Sequence, residues 1–137
     1  MKPCHRRRYR ETGKGLAFVV GLAAATPVPA AVSDTGARVT MGTDWVVLPE
    51  PNLFPALSGV VDRGTESLSL AEAIRTITIN GARSIGRQDE IGSIVTGKVA
   101  DMVVLDRNLF EISSAEVADT QVLTTIFEGR VVYQADR

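Results

Sequence analysis

The sequence predicts an α/β fold, and three local patterns carry that prediction. Ser69-Leu70-Ala71-Glu72 has the form of a helix-capping box, with a hydroxyl and a carboxylate spaced to satisfy each other's free backbone amides. Met102-Val103-Val104-Leu105 is a short apolar run closed by Asp106, the pattern of a buried strand. Two further strand-like runs, Val122 to Phe127 and Arg130 to Tyr133, flank Glu128-Gly129, where glycine supplies the positive φ of a two-residue hairpin turn.

The helix is the clearest element. Apolar or small residues recur at Leu70, Ala73, Ile74, Ile77, Gly81, Ala82 and Ile85, which predicts one helix from Ser69 to Ile85 with a single buried face and Gly86 as its stop. Thr76, Thr78 and Asn80 weaken it by a few tenths of a kcal/mol each, roughly, less than a buried face contributes. Upstream, Ala37 to Met41 reads as a short strand ending at Gly42-Thr43-Asp44. Trp45-Val46-Val47-Leu48 follows, and then the breakers Pro49, Pro51 and Pro55. Downstream, Gly92 to Val95 reads as a strand leading into a turn at Thr96-Gly97-Lys98, and Ser113-Ser114-Ala115-Glu116 resembles a second capping signal.

A chain of 137 residues with 45% hydrophobic content is long enough for one modest core, and at 5% aromatic residues that core must rest on Val, Ile, Leu and Ala. Six of the fifteen basic residues lie within the first fourteen positions. From Gly15 onward nine bases face fifteen acids, so the body is acidic and lacks the basic stripe that nucleic-acid binding requires.

Cys4 and His5 are the only cysteine and the only histidine, which precludes an intrachain disulfide and falls short of the three or four ligands of a zinc site. Both read as solvated tail residues. Residues 1–33 form a basic and apolar leader: a basic start, the ten apolar or small residues Leu16 to Ala25, then Thr26-Pro27-Val28-Pro29-Ala30-Ala31. Ten residues are too few to span a membrane as a helix. The order is that of a secretory signal, with cleavage expected near Ala30 or Ser33; Arg6-Arg7-Arg8-Tyr9 hints at twin-arginine export. A spurious extension upstream of a shortened gene explains the same residues, and both readings stand. The chain is accordingly cytoplasmic, or exported if the leader works as a signal.

Four segments together resemble a known family. Gly42-Thr43-Asp44-Trp45, Leu70-Ala71-Glu72-Ala73-Ile74-Arg75 with Thr78-Ile79-Asn80-Gly81-Ala82, the run Gly92 to Asp106, and Glu128 to Tyr133 are similar in order and spacing to the C-terminal end of the amidohydrolase superfamily, most of all its amidohydrolase-3 branch. The Gly-Ser-Ile…Gly-Lys…Ala-Asp-Met-Val-Val-Leu-Asp run is the most specific piece.

The resemblance implies a C-terminal fragment of a (β/α)8 metal-dependent hydrolase barrel plus strands of its companion β-sandwich. Residues 34–90 would be the end of the barrel, with Ala37 to Asp44 as its last strand and Ser69 to Ile85 as the helix after it. Residues 91–137 would be the returning sandwich segment. Such enzymes hydrolyse non-peptide C–N bonds of small amide-like molecules with one or two divalent metals, zinc being the expected one. Their metals are held by a His-x-His pair, a Lys or Glu and two further His. None of these ligands can be placed here.

Asp44 alone matches, as the carboxylate at the tip of the last strand, where barrel active sites lie. The resemblance gives it a catalytic role, accepting a proton from a polarised water and passing it to the leaving nitrogen, and a role as metal ligand. Trp45 beside it either faces substrate or packs. Lys98 and Asp101 are implied to be sandwich-turn residues, and Asp106 and Asp119 read as strand-end and turn residues.

Two functions follow from these readings. The chain is part of an amidohydrolase, inactive alone, binding no metal alone and completed by a companion N-terminal polypeptide. The other reading is a non-catalytic remnant or interaction module of the same ancestry, and a real leader would add a third, an exported binding protein. One barrel strand cannot close a barrel, so exposed strand edges also predict self-association.

Overall fold

The computed structural model describes residues 36–43 and 50–136. Among these residues three short α-helices come first and a three-stranded antiparallel sheet last. Helix α1 (Phe54–Val61) starts where the sequence shows only breakers. Pro55 sits in the first turn, where a missing amide hydrogen costs nothing, and the Asn52 side chain accepts from the Phe54 amide at 3.0 Å.

The predicted helix over residues 69–85 is two helices. Helix α2 (Leu70–Ile77) opens with the full capping box: the Glu72 amide donates to Ser69 Oγ at 3.3 Å, and the Ser69 amide to Glu72 Oε2 at 3.0 Å. Thr78 then leaves helical geometry, with φ −124° and ψ −102°, before α3 (Ile79–Ser84) resumes. Side chains compete with the backbone at this point: Thr76 Oγ1 donates to the Ala73 carbonyl and Thr78 Oγ1 to the Ile74 carbonyl, each at 2.7 Å.

Gly86, at φ +72°, ends α3 as the sequence predicts. Its amide donates to Arg83 O and the Arg87 amide to Ala82 O, the double bond pattern of a Schellman cap.

The expected strand at Gly92 to Val95 does not form. Gly92 lies over the break between α2 and α3, where an added Cβ would stand 2.6 Å from Ala82 Cβ and 3.1 Å from Ile79 Cα. Its φ of +85° and this close approach turn the chain away from extended geometry. The expected strand at Ala37 to Met41 is likewise unpaired; single hydrogen bonds tie it to the helices instead.

Strands β1 (Met102–Leu105), β2 (Val122–Phe127) and β3 (Arg130–Gln134) follow in the order β1-β2-β3. Met102 faces Ile126 and Thr125 faces Tyr133, with an irregularity in each pairing. The hairpin turn is as expected, but Glu128 as well as Gly129 takes positive φ, at 50° and 76°. Between β1 and β2, Glu116 reaches back to the Ser113 amide at 2.8 Å. That half of a capping box opens a short 3-10 turn (Ala115–Asp119), as the capping signal there suggests.

Leu57, Val60, Leu68, Ala73 and Val117 form the core. Val117, 1% exposed, carries the connection between β1 and β2 into the helical layer. No described helix is long and apolar enough to cross a membrane.

Two stability predictions follow. Ser69→Ala should cost about 1 kcal/mol in a denaturant melt at neutral pH. The Ser69 hydroxyl, then its amide, hold the Glu72 carboxyl below its ordinary value, so this contribution is complete above the unfolded carboxylate range and is lost as pH falls through the lowered folded value. The penalty of Ser69→Ala should therefore shrink in acid. Gly92→Ala should cost about 2 to 3 kcal/mol, because it adds a clash to an unfavourable φ. Gly97→Ala, at φ +93° with open space around it, should cost only about 1 kcal/mol. Equal losses at the two glycines would place no weight on the Gly92 contact.

Candidate active site

Asp44 and Trp45 lie outside the described residues, as do Cys4 and His5. The segment that leads to Asp44 is described as far as Thr43, and the helix break holds it. Asn80 Nδ2 donates to the Val39 carbonyl at 2.9 Å, and the Met41 amide to the Thr76 carbonyl at 3.2 Å. In an unbroken helix the Thr76 carbonyl would accept from the Asn80 amide; the turn at Thr78 leaves it open to Met41. Val39 is 4% exposed, which fixes the face of this segment that packs inward.

The other carboxylates named from the sequence are structural. Asp101 Oδ1 accepts from the Glu128 amide at 2.8 Å, and the Ala100 carbonyl accepts from Gly129 at 3.0 Å, so Asp101 fastens the hairpin turn across the start of β1. Asp106 accepts from the Gln121 amide at 3.0 Å and from Arg107 Nη2 at 2.6 Å. The Arg107 guanidinium, then the Gln121 amide, hold the Asp106 carboxyl below the usual range, the wrong direction for a proton-transfer group working near neutrality. Asp119 gives only its carbonyl, to Gln121 Nε2 at 3.2 Å.

Lys98 does not pair with Asp101. Its ammonium donates to the Gln88 carbonyl and, at 2.7 Å, to Ser93 Oγ, closing the loop that carries Gly92. Beside it runs an open groove of about 620 Å³ whose walls include Ile74, Arg75, Thr78, Arg83 and Ile94. Ser93 and Lys98 are thus occupied with each other.

A metal centre does not fit the described residues, which contain no group of three or more His, Cys, Asp or Glu side chains placed to hold an ion. What the structure contributes is an anchored approach to Asp44.

Comparison with known proteins identifies the family. The chain is 33% identical over 109 residues to the N-substituted formamide deformylase of Arthrobacter pascens, covering 74% of this chain and 20% of that protein. It is 34% identical over 106 residues to the imidazolonepropionase of Clostridium tetani, covering 74% and 24%. Among solved structures, Escherichia coli guanine deaminase superposes with a TM-score of 0.63 at 25% identity, covering 77% of this chain and 30% of that one. The chain thus spans about a fifth to a quarter of the length of the two sequence relatives. A model of the amidohydrolase family, amidohydrolase-3, matches residues 12–133, beginning inside the segment read as a leader. Matched over that length, the chain belongs to the amidohydrolase family, in its amidohydrolase-3 branch.

Proposed function

We propose that this chain is the C-terminal part of a metal-dependent amidohydrolase that hydrolyses non-peptide C–N bonds of small molecules, and that it is inactive until a companion polypeptide supplies the rest. One observation carries the reading: about three quarters of this chain matches only a fifth to a quarter of each sequence relative. A formamide deformylase and a guanine deaminase both, by their names, break a bond between carbon and nitrogen. The bond class is therefore common to relatives whose substrates differ.

Asp44 is the catalytic residue of this reading. Its carboxylate accepts a proton from the attacking water and returns it to the departing nitrogen, which needs an acceptor fixed at one place relative to the reacting carbon. The bonds of Met41 to Thr76 and of Asn80 to Val39 lie three and five residues short of it and anchor the segment that leads to it. The family metal, with zinc the first candidate, would polarise that water in the complete enzyme and keep Asp44 ionised. Its histidine ligands must come from elsewhere, because this chain has a single histidine, His5. The alternative, a non-catalytic remnant or interaction module, is the reading that remains if no companion exists.

The tests separate the two. The isolated chain, dialysed against zinc, should retain far less than one equivalent by elemental analysis. A companion sought in the adjacent reading frames should carry His-x-His after a strand. Mixed with it, this chain should restore hydrolysis of a panel of N-substituted formamides and cyclic amides, read as formate or amine release. Asp44→Asn should then lower kcat by about 10² to 10⁴ with KM little changed. Asp101→Asn, which keeps one oxygen for the Glu128 amide, should leave kcat within about twofold. Full activity with Asn at position 44 would remove Asp44 from the mechanism, and a neighbourhood without such a frame would leave the remnant reading.

A further inference from the structure

Asn80 breaks a local rule. Asparagine is a poor helix former, yet it occupies the second position of α3, in the stretch that weakens the helix the sequence predicts. Its side chain is committed to a bond across 41 residues of sequence: Nδ2 donates to the Val39 carbonyl at 2.9 Å, at a partly buried position. A carbonyl oxygen only accepts, so the side-chain group that meets it is the NH2 and not the amide oxygen. The backbone of Asn80 is engaged as well, its carbonyl accepting from Ser84 Oγ at 2.9 Å. A residue that weakens its own helix and is held in this way serves another part of the chain.

The segment it reaches has a matching edge. In an extended chain alternate residues share a face and present their backbone groups to one edge. Val39 is 4% exposed and Met41 packs against the core, whereas Arg38 and Gly42 on either side of them are exposed. The Val39 carbonyl and the Met41 amide thus offer one acceptor and one donor. The helix pair answers with one donor and one acceptor: Asn80 Nδ2 from α3, and the Thr76 carbonyl from α2 at 3.2 Å. The two helices stand where a neighbouring strand would, one on each side of the break at Thr78. Two bonds fix a register that one alone leaves free to swivel, and a slip of one residue would turn Val39 out of the core. Asp44 follows Met41 by three residues, a length of chain that reaches at most about 11 Å, so a clamped Met41 bounds where that carboxylate can go.

We infer that Asn80 is a positioning residue: its side-chain amide, together with the Thr76 carbonyl, clamps residues 39–41 in the register that presents Asp44. The catalytic half of this inference rests on the proposed role of Asp44; the clamp itself does not.

Amide hydrogen exchange on the full chain tests the clamp without a companion. Asn80→Ala should lower the protection of the Met41 amide about 3-fold to 10-fold, the range that one lost hydrogen bond gives, with Ala73 in α2 unchanged. Asn80→Asp keeps the shape and exchanges the donor for a carboxylate. Measured against the wild type at each pH, its Met41 should exchange as in Asn80→Ala at neutrality and regain protection at about pH 3, where the introduced carboxyl is protonated and donates again. Equal protection of Met41 in the wild type and Asn80→Ala, or no recovery of Asn80→Asp in acid, would overturn the clamp. Where Asn80→Ala loses Ala73 protection too, the comparison within Asn80→Asp still decides, because one protein is read against itself. With a companion polypeptide, Asn80→Ala should lower kcat by about 10-fold to 10²-fold and leave KM within about twofold, because the carboxylate is misplaced rather than removed. An unchanged kcat with Met41 protection lost would overturn the positioning role and leave Asp44 in the mechanism. Full activity of Asp44→Asn would instead remove the proposed role of Asp44, with the exchange result untouched.

Discussion

Thr78 interrupts the run of helix between Leu70 and Ser84, and three separate features rest on that interruption. It leaves the Thr76 carbonyl open to the Met41 amide. It starts α3 in an orientation that lets Asn80 reach the Val39 carbonyl. It also bares a backbone surface against which Gly92 packs at a distance no side chain could tolerate. A continuous helix of the same residues would satisfy its own carbonyls and leave the segment before Asp44 without its hydrogen bonds to the helices. The cost of breaking a helix is offset here because two threonine hydroxyls and the amide of Met41 take up carbonyls the helix gives away.

The second half of the molecule packs on the first through Val117 and is held together within itself by specific hydrogen bonds. Val117 enters the core formed by α1 and α2, Lys98 closes the loop that holds Gly92, and Asp101 ties the β2–β3 turn to the start of β1. Each of these charged side chains is occupied with backbone or hydroxyl groups, which explains why the most recognisable run of the sequence, from Gly92 to Asp106, is architecture rather than chemistry. The sheet beyond it has order and register but little cover. The chain matches a fifth to a quarter of the length of the two sequence relatives.

What could be read in advance was local. The capping box at Ser69 and Glu72, the glycine stop at Gly86, the strand at Met102 to Leu105 and the Glu128-Gly129 hairpin each depend on neighbours within a few residues, and each is present, although the strand expected to be buried exposes Val103 and Val104. The break at Thr78 was not legible, although Thr76, Thr78 and Asn80 marked the weak stretch, because its compensation comes from Met41 and Val39, far away in sequence. Gly92 was misread for the same reason: its φ answers to Ala82 and Ile79, not to the apolar residues after it. Helix α1 was hidden by Pro55, a breaker in mid-helix and harmless in a first turn. Asp44 could be named only through the family resemblance, since the ligands that would give a lone carboxylate its chemical meaning are not encoded here.

The helix break seats the segment leading to Asp44, and amide hydrogen exchange at Met41 tests this most directly. If its amide is held by the Thr76 carbonyl, Met41 should be protected to a degree comparable with Ala73, whose amide donates to Ser69 O inside α2. Exchange at Met41 at the rate of an unstructured chain, with Ala73 still protected, would contradict it.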